Sequence, residues 1–369
     1  MKTRILFVSS MIAALAVACG GGGADEAQDP SAGVTEQGIS HRISVKVART
    51  DLVSDQAGTA VTTDAHLVNA WGIAFNPAGP AWVSNAGSST TTVYDATGKL
   101  LLTVNVPAAP TDTEGSSPTG QVFNGTSGFA GDKFIIANEH GTIVGWQPAG
   151  GAQTRADLTA AGSVYKGLAI AGSHIFATDF HNAKIDVFDA NYTKIASNGF
   201  VDSTIPAGYA PFNIQELGGK LYVTYAKQKA DKHDDEQGPG KGFVNVFDTS
   251  GKRLGRIASQ GTLNAPWGLA LAPASFGRLA GKLLVGNFGD GAVQAFDVSF
   301  ATSGGYYGAP VATTARATFL GSLLNAQGKP LAIDGLWALA VSPHGELFFT
   351  AGPGGESHGA FGKLAVAGY

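Results

Sequence analysis

No disulfide can form within this chain, because Cys19 is its single cysteine. The fold must therefore rest on packing and hydrogen bonds rather than on covalent cross-links. Charge is scarce as well: Asp, Glu, Lys and Arg make up 14% of 369 residues, and the net charge is −4. No cluster of Lys and Arg alternates with aromatics, which excludes the electrostatic footprint of a nucleic-acid binder. Long apolar runs are missing except at residues 5 to 17, a stretch too short to remain in a bilayer as a spanning helix. Familiar catalytic signatures are absent too: there is no G-x-S-x-G elbow, no H-E-x-x-H, no P-loop and no G-x-G-x-x-G after a strand.

What the chain has in abundance is glycine, at 52 positions, within a composition that is 44% apolar. Short runs of Val, Ile, Phe and Thr between glycines read as strands and tight turns, and the apolar content is enough for a sizeable core. The amino terminus stands apart. Lys2 and Arg4 precede the apolar run, so residues 1–18 read as a signal peptide. Ala16-Val17-Ala18-Cys19 is similar to a bacterial lipobox, which makes Cys19 the expected lipidation site. Gly20 after it resembles the sorting signal of outer-membrane lipoproteins, so the expected location is the cell envelope, with the membrane reached through a lipid anchor only. Residues 19–49, polar and glycine-rich, read as a flexible tether.

From residue 50 to 369 the sequence repeats. Six hairpins share one pattern of apolar strand, polar turn and alternating strand: WVSNAGSSTTTVYDATGK (82–99), FIIANEHGTIVGWQPAG (134–150), IFATDFHNAKIDVFDANYTK (175–194), one spanning 221–252, LLVGNFGDGAVQAFDVS (283–299) and LFFTAGPGGESHGAFGKLAV (347–366). A short strand with small residues precedes each: WGIAF (71–75), TSGFA (126–130), KGLAI (166–170), FNIQEL (212–217), WGLAL (267–271) and LWALAV (336–341). With fourth strands such as LLLTV (100–104) and ATFLGSL (317–323), the repeat predicts an all-β, six-bladed β-propeller of four-stranded antiparallel blades. The last copy ends without a fourth strand, while residues 50–55 have nothing local to pair with. The amino-terminal strand is therefore expected to complete the carboxy-terminal blade and close the ring. The insertion ADKHDDEQGPGK in blade 4 reads as a solvated loop, and residues 304–335 as a long tail to blade 5.

LVSDQ (52–56), TDAHLVNAWGIAF (63–75), TDFHNAKIDVFD (178–189) and GNFGDGAVQAFD (286–297) resemble a family of uncharacterised bacterial secreted proteins, related to NHL-repeat and calcium-dependent phosphotriesterase-like six-bladed propellers. The resemblance implies the fold and secretion, and carries no settled reaction. Lactonase and phosphotriesterase-like propellers place a calcium-binding Glu near the start of the first inner strand. Here that stretch reads LVNAWG, with Asn69 nearest.

In an up-and-down blade, the loop leading into the first strand and the turn between strands two and three lie on one face. That face should gather Asp64, His66, Asn69, Tyr165, Asn264 and Asp334 from one set of loops. The other set brings Asn85, Asn138, Glu139, His140, Asp179, His181, Asn287, Asp290 and His358. The opposite face receives plain turn sequences. Asn69, Asn138, Glu139, Asp179, Asn264, Asn287, Asp290 and Asp334 are candidate binding residues for a small molecule, glycan or protein. Asn69, Asn264 and Asn287 are candidate oxygen ligands of Ca2+. His140 and His181, in adjacent blades, are candidate general bases. Asn, Asp and Gly are also the ordinary residues of hairpin turns, which accounts for many of these positions without any ligand. Two readings stand: a monomeric binding or scaffold module using one face, and a metal-dependent hydrolase or lyase.

Overall fold

A computed structural model describes residues 43–110, 112–113, 115–304 and 312–367. The expected signal peptide, the expected lipidation site Cys19 and the expected tether as far as residue 42 lie outside the described residues. The chain forms a six-bladed β-propeller, each blade an antiparallel sheet built on four strands. The inner strands, in order, are Ala70–Phe75, Pro118–Phe123, Tyr165–Ala171, Tyr209–Leu217, Pro266–Leu271 and Leu336–Val341. The outer strand of blade 6 comes from the amino terminus, as expected: Lys46–Ser54 pairs antiparallel with Ala360–Val366, from Val47 opposite Val366 to Ser54 opposite Ala360. It starts four residues earlier than the sequence pattern indicates.

One device recurs in all six blades. Each inner strand slips register against its neighbour within its first few residues. At or beside the slip stands Gly72, Gly120, Gly167, Asn213, Gly268 or Ala338. Adjacent blades come so close there that a Cβ on Gly72 would strike the backbone of Thr119 and Gln121, and one on Gly120 the backbone of Gly167 and Leu168. Glycine is required by that approach rather than by backbone torsion. Where the slip removes a ladder bond, a threonine on the second strand supplies the acceptor. The Gly167 N–H donates to Thr178 Oγ1 at 2.7 Å, Asn213 N–H to Thr224 Oγ1 at 3.0 Å and Ala338 N–H to Thr350 Oγ1 at 3.0 Å. The hydroxyls reach onward to the next blade: Thr178 donates to the Phe212 carbonyl at 3.1 Å, and Thr350 to that of Trp71. Buried polar groups are thereby satisfied and neighbouring blades latched.

Just above this ring the axis is plugged by aromatics. Trp71 stacks on Trp337 with centroids 3.5 Å apart, Phe288 on the same indole at 3.8 Å, and Trp267, Phe180 and Phe212 complete a buried cluster. Below the plug the inner strands surround a cavity of ≈ 320 Å³, whose lining includes Gly72, Gly120, Gln121, Asn213, Trp267 and Ala338.

Two segments differ from the sequence reading. TSGFA is not the inner strand of blade 2; Pro118–Phe123 is, and residues 124–131 form a turn. Asn124 organises that turn by accepting from Thr126 N–H and donating to the Gly128 and Asp132 carbonyls, with Phe129 and Ala130 at positive φ. In blade 5 the outer strand is longer than the sequence pattern indicates: Val293–Ser303 pairs with Ala312–Ser322, from Gln294 opposite Ser322 to Ser303 opposite Ala312.

Candidate functional site

Two sets of loops do share one face, as contacts between them show: His358 Nδ1 lies 2.8 Å from Asp55 Oδ2, and Asn69 Nδ2 donates to Glu356 Oε2 at 2.7 Å. The chemistry on that face concentrates around a residue that the sequence reading passed over. Lys166 occupies the inner-strand position filled by Trp71, Phe212, Trp267 and Trp337 in four other blades. Its side chain is 2% exposed, with Nζ 5.2 Å from the Trp71 ring centroid, close enough for a cation–π attraction. The ammonium pairs with Glu139, from the turn between the second and third strands of blade 2, and lies 3.7 Å from Asp234 Oδ1.

Asp234 belongs to the blade 4 insertion, so the expectation of a solvated loop is corrected here. The segment folds back over the channel mouth. Glu236 N–H donates to the Lys227 carbonyl at 2.7 Å, Gly238 N–H to Asn264 Oδ1 at 2.7 Å, and Lys241 Nζ to Glu236 Oε1 at 2.6 Å. These bonds bring His233, Asp234 and Asp235 onto the lysine, with His233 Nδ1 3.0 Å from Asp234 Oδ1. Asp235 is only 6% exposed, and its Oδ2 has no hydrogen-bond partner. Glu356 approaches from blade 6, held by Asn69.

These groups perturb one another. Hydrogen bonding to Asp234 raises the pKa of His233, and the same bond, with help from Lys166, holds Asp234 well below the usual carboxylate range. Burial opposes the charge on Lys166, but Glu139 together with Asp234 and Asp235 outweighs it and the ammonium is stabilised. Burial pushes Asp235 up to about 7, against the pull of Lys166 and with repulsion from Glu356 adding to it. Burial likewise raises Glu356, opposed by its bond from Asn69. Perturbed groups gathered in one mouth make it the candidate functional site. A buried ion pair is also weak evidence for a stabilising role.

The other candidates serve mostly as turn anchors. Asn138 is buried and donates to Thr142 at 2.7 Å; Asp179 accepts from Ser163 at 2.9 Å; Asn287 donates to the Thr262 carbonyl at 2.8 Å. Asp290 receives Asn264, Asn287 and the Ala292 N–H, while Asp334 accepts from Gly354 N–H at 2.9 Å. His140 pairs with Asp112 and lies 3.2 Å from the Gly115 carbonyl, whereas His181 borders Gly162 in its own blade. The two histidines therefore have different immediate partners. Of the candidate Ca2+ ligands, Asn69 Oδ1 accepts from the Trp337 indole N–H at 2.9 Å and Asn264 Oδ1 from Gly238 N–H at 2.7 Å, whereas the buried Asn287 Oδ1 has no hydrogen-bond partner. Trp71 and Trp267 are core, as their sequence context implies.

Of the candidates, Glu139 and Asn69 belong to the mouth, and Asn264 anchors the loop that covers it. Lys166, His233, Asp234, Asp235 and Glu356 were missed. Two signals could have found them: a lysine in register with tryptophans, and six charged or titratable residues in succession, Asp231 to Glu236, in a charge-poor chain.

No protein-family model matches the chain. Two proteins of Acanthamoeba polyphaga mimivirus are similar to it: the uncharacterized protein R648, 35% identical over 81% of this chain and 75% of its own, and L690, 34% identical over 85% and 84%. The solved aldose sugar dehydrogenase of Escherichia coli superposes with a TM-score of 0.52 over 87% of this chain and 100% of its own, at 14% identity, a likeness of fold alone.

Proposed function

We propose a function from the channel mouth itself, because the chain belongs to the family of the mimivirus proteins R648 and L690, whose names carry no activity. The protein is a binding module that takes a small cationic ligand on the loop-rich face. One observation carries this reading: acidic side chains from three blades, Glu139, Asp234, Asp235 and Glu356, converge around a single buried lysine. Lys166 faces inward, so the groups presented to solvent are the carboxylates of Glu139 and Asp234 and the imidazole of His233. Such a mouth attracts positive charge, and the attraction weakens as salt screens it.

A thermal-shift series with spermidine, glucosamine and choline tests the reading, since a ligand that binds only the folded state raises apparent stability. At least one of these amines should raise Tm with dose, the effect should fall with added salt, and Asp234→Asn should remove it. A shift given only by anionic compounds, or one that Asp234→Asn leaves intact, would overturn it. The leader and Cys19 add a location to the proposal, a lipid anchor at a cell envelope. Metabolic labelling with a fatty-acid analogue, lost in Cys19→Ser, checks it.

A further inference from the structure

We infer that the mouth holds a divalent transition-metal ion on Glu139, His233 and Asp234, and that Lys166 is the cation standing in its place. The inference rests on the cation-binding reading above and names the cation. One carboxylate oxygen from Glu139, one ring nitrogen from His233 and one carboxylate oxygen from Asp234 lie within 4.8 Å of one another. They come from two blades across the mouth, so an ion held there would tie the blade 4 insertion to the blade 2 turn. One imidazole with two carboxylates suits zinc, manganese or iron(II) rather than the all-oxygen shell of calcium or magnesium. Three protein ligands leave at least one coordination position open to a further ligand.

The obvious objection is the ammonium of Lys166, which already neutralises Glu139 and Asp234. Asp235 answers it. This carboxylate is 6% exposed, has an oxygen with no hydrogen-bond partner, and interacts electrostatically with Lys166. An unpartnered buried acceptor is costly unless a donor reaches it in some state of the protein. When a metal takes Glu139 and Asp234, Lys166 has Asp235 to turn to, and total charge in the mouth stays balanced. Metal binding here is thus an exchange of cations, with Asp235 as the second seat for the lysine.

Isothermal titration of the full chain with zinc chloride tests the assignment. One equivalent should bind. His233→Gln, a half-exposed loop position, should weaken binding at least tenfold, Asp235→Asn should weaken it several-fold by leaving Lys166 no alternative partner, and His181→Gln, at another loop, should change nothing. A titration without stoichiometric heat, or equal affinity in wild type and His233→Gln, would refute the metal site. Amine-dependent thermal shifts are read independently, so a flat zinc titration beside an amine shift lost in Asp234→Asn removes the metal and leaves the cation-binding mouth standing.

Discussion

Lys166 and Gly167 are neighbours in one strand and belong to different worlds. Gly167 sits in the ring where six blades meet, and its surroundings are fixed by van der Waals contact with Asn213 and Ile214 of the next blade. Lys166, one residue nearer the face, is surrounded by charge: Glu139, Asp234 and Asp235. The ring position holds glycine or alanine in five blades and Asn213 in the other, whereas the lysine occurs in one blade of six. A position filled alike in nearly all blades answers to the architecture they share. A position filled once answers to what that place on the face does.

The comparison breaks most readily at the ring. Gly167→Val places a Cβ against the backbone of Asn213 and Ile214, where no side-chain rotation can relieve it. Overpacking of a tight core costs about 1–3 kcal/mol, and more where backbone must move. The expected result is a loss of at least ~3 kcal/mol in denaturant unfolding, or failure to recover soluble protein. Unchanged stability would show that the blades are not in contact there.

At Lys166 the expected pattern is different. Lys166→Met leaves Glu139 without its partner, and removing one member of a buried pair costs about 3 kcal/mol. Adding Glu139→Gln removes the stranded charge as well, and the double variant should recover most of the loss. Recovery would mark the pair as replaceable by neutral groups and so kept for chemistry. A double variant as unstable as the single one would make Lys166 a structural residue like its neighbour.

The same division explains what could be read from the sequence. Blade count, closure by the amino-terminal strand and the core role of Trp71 and Trp267 follow from repetition, and repetition is visible in a single chain. The inner strand of blade 2 was misplaced because the quoted pattern tracked TSGFA, a turn shaped by the side chain of Asn124, while PTGQVF carries the glycine in register with Gly72 and Gly167. The mouth was legible only in fragments. Glu139 and Asn69 were found because they stand at predictable turns. His233, Asp234 and Asp235 were not, because an insertion has no counterpart in other blades, and its return path depends on contacts with Asn264 and Lys227 that no local pattern encodes. Buried turn residues such as Asn138 and Asp179 look the same in sequence whether they bind a ligand or brace a hairpin.

A smaller effect sharpens the ring from its other side. Thr178→Val keeps the shape of the side chain and removes its oxygen, which leaves the buried Gly167 N–H and the Phe212 carbonyl without their partner. An unsatisfied buried group costs about 1–3 kcal/mol, so a loss of ~2 kcal/mol is expected in urea unfolding. Thr178→Ser, which retains the hydroxyl, should restore about half of it. If the serine variant is no better than valine, the methyl group rather than the interblade bond is what matters.

The effect at Asp235 is read as a slope with pH. Burial raises its pKa from an ordinary value of 3.8 to about 7, so the folded chain holds its proton more tightly than the unfolded chain does. Stability from that difference is fully present below about pH 4 and lost as pH rises through about 7. Asn cannot ionise, so Asp235→Asn should gain stability relative to wild type between pH 5 and pH 8. The attraction of Lys166 is already contained in that value, so the gain of Asp235→Asn over wild type should grow by up to about 3 kcal/mol from pH 5 to pH 8. Chemical denaturation of both proteins at the two pH values measures it, and an equal difference at pH 5 and pH 8 would show that Asp235 carries its charge throughout. That result would also change the comparison, because a permanently ionised Asp235 makes Lys166 the shared partner of three carboxylates rather than a cation with a second seat.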